Sequence, residues 1–245
     1  MNTRLLEQQI LYDGSQLRSG WIAQTAGLSG DAAVAFLGPC EVAREHMVDM
    51  VDLAAGARIS SPNMVHVIIE HPGLDLHHIT TRQRLLMAIA AELINSHLGE
   101  ALLRREGDDL YLRGRKLSVS VATVSLTSAA CAGTAGFSPP AGSAGVSPAS
   151  GPQQSEARPG TAGFSLPSPS PRQLEASTGT AGFSLSSSGL IHAGFNLRGE
   201  GAPVPAIGLE ELGLDPRRFA ELLLSAYADE IDSIMTAAAK VKPVL

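Results

Sequence analysis

Lys116 is the residue whose neighbours best equip it for chemistry. Asp108 and Asp109 lead into the apolar triplet Leu110-Tyr111-Leu112, and a tight Arg113-Gly114-Arg115 turn delivers Lys116 to a second strand. Along that strand Leu117, Val119, Val121 and Thr123 alternate with Ser118, Ser120, Ala122 and Val124, so one face is apolar and the other small. Small side chains leave room above a sheet, and a lysine beside that room neutralises a carboxylate, a phosphate or a developing oxyanion. The plainer reading of the same residues is a hairpin with a solvated basic turn.

Four further stretches contribute candidates. Arg58-Ile59-Ser60-Ser61-Pro62-Asn63 reads as a loop before the strand Met64–His71, in which His66 interrupts an apolar run, as a satisfied core histidine or a cleft residue. Leu190–Leu197 is again strand-like and carries His192 and Asn196. With Asp109 and Arg115 beside Lys116, the ligand-binding candidates are Arg58, Asp109, Arg115, His192 and Asn196. His46 and Asp49 sit three apart on an expected helix over Glu41–Ala55, but no third ligand converges by spacing, and Cys40 and Cys131 form no CxxC pair, so no metal site is assigned.

The elements that must position these residues are legible in outline. The spacing predicts strands at Leu5–Tyr12 and Ala32–Leu37, the second stopped by Gly38-Pro39, with Trp21 as a core or rim anchor between them. His77 and His78 read as loop, followed by a helix that opens on a capping box at Thr80–Gln83, with Leu85, Leu86, Ile89, Ala90, Leu93 and Ile94 as its apolar stripe. Leu209–Leu212 is a short helical piece, and Asp215-Pro216 caps a long helix to about Ala238.

Between these, residues 127–188 are Gly, Ala, Ser, Pro and Thr with little else, and Gly-Thr-Ala-Gly-Phe-Ser recurs at 133, 160 and 179 with a degenerate copy at 142. The irregular spacing builds no solenoid, and such a composition predicts a disordered insertion in a hairpin loop of one domain made of 1–126 and 189–245. Joining its ends leaves the Lys116 strand beside the His192 strand.

Composition narrows the partners. A chain of 245 residues with charge -6, 44% hydrophobic and 4% aromatic residues suits one domain with a sizeable core. Nucleic acid is disfavoured, because Arg104, Arg105, Arg113, Arg115 and Lys116 are interleaved with acids and aromatics are scarce. No run approaches the roughly 18 apolar residues of a membrane span, and the polar start does not resemble a signal peptide, so the expectation is a cytoplasmic protein with a small-molecule ligand.

YDGSQLR, EHMVDM, RQRLL, GDDLYLRGRKLSVSVATVS and PVPAIGLEELGLD, met in that order, resemble the family of domain of unknown function 366 over nearly everything outside the insertion. More distantly, GDDLYLRGRKLSVS and HAGFNL are similar to the lysine strand and its partner in lipoate and biotin protein ligases. That resemblance implies an α/β fold, a mixed sheet with flanking helices, and a catalytic Lys116 that contacts an acyl carbonyl and phosphate. ATP would be the implied cofactor, but Arg58–Asn63 lacks the glycine-rich loop that cradles the nucleotide in those enzymes. Related octanoyl transferases carry a cysteine nucleophile after a proline where this chain has Pro205-Ala206. A binding protein that keeps the cleft without the chemistry is the alternative.

Overall fold

The computed structural model describes residues 1–128 and 185–242. The expected disordered insertion and Cys131 lie outside the described residues, except that Thr127-Ser128 and Leu185–Ser188 continue paired strands beyond the boundaries read from composition.

In chain order the elements are β1 (Asn2–Leu5), α1 (Trp21–Ala26), β2 (Ala32–Glu41), α2 (Met50–Ala55), β3 (Ser60–Pro72), α3 (Leu76–Leu98), β4 (Arg104–Glu106), β5 (Asp109–Leu112), β6 (Arg115–Lys116), β7 (Ser118–Ser128), β8 (Leu185–Asn196) and α4 (Pro216–Ala239). Five strands form a mixed sheet in the order β1-β2-β3-β8-β7, parallel between β1 and β2 and antiparallel elsewhere. A small antiparallel sheet, β4-β5-β6, stands beside it. This is the mixed sheet with flanking helices that the sequence led one to expect.

The main sheet buries both faces, which is why its central strands read as continuous apolar runs. Ala33 and Ala35 of β2, Val65, Val67 and Ile69 of β3, and Ile191, Ala193 and Phe195 of β8 pack under α3 and α4. Their alternates, including Val34, Phe36, Met64 and Ile68, face Tyr12 and α1. α4 begins as expected on an Asp215 cap with Pro216 next, and Tyr227 ties it to β3 through a hydrogen bond of 2.9 Å between its hydroxyl and His71 Nε2.

Four local expectations give way to competing physics. The first strand ends at Leu5: Glu7, Gln8 and Gln9 bulge into solvent, and the chain then follows β2 through single bonds, Ile10 N–H to Leu37 O at 3.1 Å and Tyr12 N–H to Pro39 O at 2.9 Å. β2 does not stop at Gly38-Pro39 but passes them through a bulge between Gly38 and Cys40, which accommodates the proline's missing N–H. A Cβ on Gly38 would lie 2.0 Å from the Ile10 carbonyl oxygen, so the close approach requires glycine.

The helix expected over Glu41–Ala55 is broken into a 3-10 turn at Arg44–His46 and the short α2, because Asp49 turns its carboxylate onto Val51 N–H and Asp52 N–H as a cap and Val51 finds no core to enter. The cap of α3 lies five residues before the expected one, at Asp75, whose carboxylate accepts from His78 N–H at 2.9 Å; His77 and His78 are therefore helical. Thr80 and Thr81 bond back to the carbonyls of Leu76 and His77 instead of capping. Among the described residues, no helix is long and apolar enough to cross a membrane.

Candidate functional site

A cavity of about 330 Å³ opens on the face of the main sheet away from the α3–α4 core. That size suits a small organic molecule. Met64, Val119 and His192 form its floor, with Tyr12 and Cys40 beside them; the segment from His46 to Ser61 walls one side, and Asp109, Lys116 and Ala202–Ala206 the other. The two faces of β7 are used opposite to expectation. The apolar residues Val119 and Val121 border the cavity, with Ser120 at its edge, whereas the small face turns mainly towards α3: Ser120 Oγ accepts from Gln83 Nε2 at 2.9 Å and donates to Asp108 O at 2.8 Å, and Ala122 and Val124 join the helix-side core.

Lys116 is held by its backbone on two sides. It pairs with Tyr111 across the small sheet, donates its N–H to Pro205 O at 2.9 Å and accepts from Ile207 N–H at 3.0 Å. Its ammonium stands 2.7 Å from Asp109 Oδ2, and the two side chains are only 26% and 21% exposed. Burial pushes the Asp109 carboxyl up from the usual range, while the ion pair with Lys116 pulls it down; burial prevails. An ammonium has three protons, so contact with one carboxylate oxygen leaves donors for a ligand.

Asn196 lines the cavity, but its amide is partly committed, accepting from Ser61 Oγ at 3.1 Å and donating to the Lys116 carbonyl at 3.4 Å. It therefore positions the strand that carries Lys116. Arg58 stands at the rim, its side chain 72% exposed and 3.2 Å from Glu41. Arg115 is not in the cleft: neighbours on a strand point to opposite sides, and its guanidinium reaches Glu211 at 3.6 Å. Ala206 lines the cavity and bridges to Lys116 in register, so a methyl group occupies the wall next to the ammonium.

His192 lies at the base, stacked on Tyr12 with ring centroids 3.6 Å apart and planes 8° from parallel. Beneath it His66 is fully buried, its Nδ1 3.0 Å from His192 Nε2 and its Nε2 3.1 Å from Gly38 O. Burial holds His66 down to about 4, and burial together with His66 holds His192 well below the ordinary imidazole value, so both rings are neutral near pH 7. Sequence reasoning placed Tyr12 in a strand and assigned it no role. The available signal was elsewhere: two histidines interrupting two apolar strands each need a buried partner, and here each supplies the other's.

The residues do not fit a nucleotide cradle. Ser60 and Ser61 pair with Glu41 and Cys40 as the start of β3, so the stretch expected to be a loop offers no fan of free N–H groups, and Asp49, Asp52 and Asp108 add negative charge to the cleft. Cys40 is buried, and burial, assisted by Glu41, pushes its thiol up to about 12, away from the thiolate that nucleophilic attack requires.

The fold and this cleft define a mixed-sheet α/β protein with a partly charged cleft on one face of its main sheet. The chain belongs to the family described as domain of unknown function (DUF366), whose model matches residues 1–132 and 172–242. A solved protein of unknown function from Pyrococcus horikoshi is 32% identical, with a TM-score of 0.70, and the match covers 100% of this chain and 99% of that one. An uncharacterised protein of Methanocaldococcus jannaschii is 28% identical over 252 residues, covering 100% of this chain and 86% of the relative. The biotin protein ligase of Leishmania major also matches, in complex with biotin, at 11% identity and TM-score 0.45 over 92% of this chain and 72% of the ligase. Likeness at that level places no residue of this chain on a residue of the ligase.

Proposed function

We propose that the cleft binds a small carboxylate or acyl compound and that Lys116 stabilises the negative end of its carbonyl. The observation that carries this reading is the 2.7 Å Lys116–Asp109 pair in the wall of the cleft, a cation fixed where a ligand oxygen can reach it. Because Asp109 offsets the charge of Lys116 and Asp49, Asp52 and Asp108 line the same cleft, a polyanion would meet net repulsion. A monoanionic carboxylate or an acyl carbonyl suits the site better.

Binding without a covalent acyl-enzyme is favoured over transfer, since Ala206 stands beside Lys116 and the Cys40 thiol stays protonated. Thermal melting of the full chain against a panel of short and medium carboxylates tests this: a ligand at about 100 times its dissociation constant should stabilise by about 2.7 kcal/mol. Pyrophosphate exchange with ATP should remain at background with the same panel. Stabilisation by no carboxylate would refute the binding reading, and carboxylate-dependent exchange would replace it with an activating enzyme.

A further inference from the structure

The stacked rings at the base of the cleft also specify what the buried end of a ligand must carry. Gly38 O can only accept, so His66 Nε2 bears the proton of that 3.1 Å contact. A neutral His66 then presents a bare Nδ1, which must receive the proton of His192 Nε2 across 3.0 Å. By the same rule His192 is left with an unprotonated Nδ1. That nitrogen has no hydrogen-bond partner among the described residues, on a side chain 97% removed from solvent that nonetheless lines the cavity. Tyr12, 3% exposed, is stacked parallel to the ring, lines the same cavity, and its hydroxyl also has no partner among the described residues.

A carbonyl and two imidazoles thus form a directed chain that ends in a lone pair, with a phenol at its side. Water in the cavity can reach this acceptor, but a ligand that displaces the water without supplying a donor leaves it unpaired, so a ligand that brings an N–H or O–H to that depth is selected over an isostere that does not. We propose that the floor of the cleft is a subsite for a neutral hydrogen-bond donor group next to an acceptor, of the kind found in a lactam or secondary amide, with His192 Nδ1 accepting its N–H and the Tyr12 hydroxyl serving its carbonyl.

This names the class of the buried end of the ligand and rests on the cleft being its binding site, but it does not require Lys116. The test accordingly uses uncharged probes. In the full chain labelled with ¹⁵N at histidine, near neutral pH, the His192 ring should show a protonated Nε2 and a bare Nδ1. Titration with 2-pyrrolidinone should move the bare-nitrogen resonance saturably, while γ-butyrolactone, a ring of nearly the same shape in which an oxygen replaces the N–H, should leave it in place. A protonated Nδ1 in the free protein, equal responses to the two probes, or a resonance that neither moves overturns the proposal. The carboxylate reading can fail independently, because neither probe carries a charge.

Discussion

Histidine 66 gives the sharpest consequence at the scale of a single residue. Its folded value of about 4 lies below the ordinary 6.5, so between those limits the unfolded chain binds more protons than the folded one. Stability is therefore fully present above about pH 6.5 and is lost as the pH falls towards 4, by about 3 kcal/mol from this ring alone. His192 is shifted in the same direction and adds to the loss. Urea melts at pH 7, 6, 5 and 4 should show a steep decline, and a His66→Phe variant that still folds should flatten it; a flat profile in the natural chain would contradict the neutral pair. Gly38 carries a second residue-scale expectation. Because an added methyl would collide with the Ile10 carbonyl, Gly38→Ala should destabilise by about 2–4 kcal/mol in the same melts, whereas Gly194→Ala, which meets chiefly the mobile end of Met64 at 2.9 Å, should cost far less.

At the scale of elements, what could be read in advance was what local chemistry alone decides. The Asp215-Pro216 start of α4, the apolar runs of β2, β3 and β8, and the pairing of the His192 strand with the strand that follows Lys116 came from caps, periodicity and composition, although Lys116 itself falls in the small sheet. Two helix starts moved to local caps at Asp49 and Asp75, and other expectations that gave way were settled by groups distant in the chain. The bulge at Gly38-Pro39 answers to Ile10, and the reversed faces of β7 answer to Gln83 of α3, whose amide takes Ser120. Within the site, Lys116 and Asp109 were legible because seven residues and one turn separate them. Tyr12 was not, because its stacking partner lies 180 positions away. The cleft wall offers a test at this scale. α2 has only the Asp49 cap and no buried residue, so Asp49→Ala should cost about 1 kcal/mol locally and raise amide exchange over Met50–Ala55, with little change in the global melt. The same substitution in α4, Asp215→Ala, should instead lower the global transition, since that helix buries Phe219, Leu223 and Tyr227 against the sheet.

For the molecule as a whole, the main sheet and the two long helices carry the core, and the cleft is a cavity on the opposite face whose floor is shared by β3, β8 and β7. Ser128 and Leu185 are partners in register, so replacing residues 129–184 with a two-residue Asn-Gly turn joins them without disturbing any described contact. Shortening that connection removes about 3 kcal/mol of closure entropy, and the melting temperature should hold or rise. A fall of several degrees would show that the connection supports the core.

The central claim concerns a single ammonium, and calorimetry on one substitution reaches it most directly. With the carboxylate that stabilises the full chain best, Lys116→Gln should weaken binding about 10- to 100-fold, the equivalent of one charge-assisted hydrogen bond, while the variant keeps the natural far-ultraviolet spectrum. An unchanged dissociation constant in a folded Lys116→Gln protein would show that the ligand's negative end lies elsewhere.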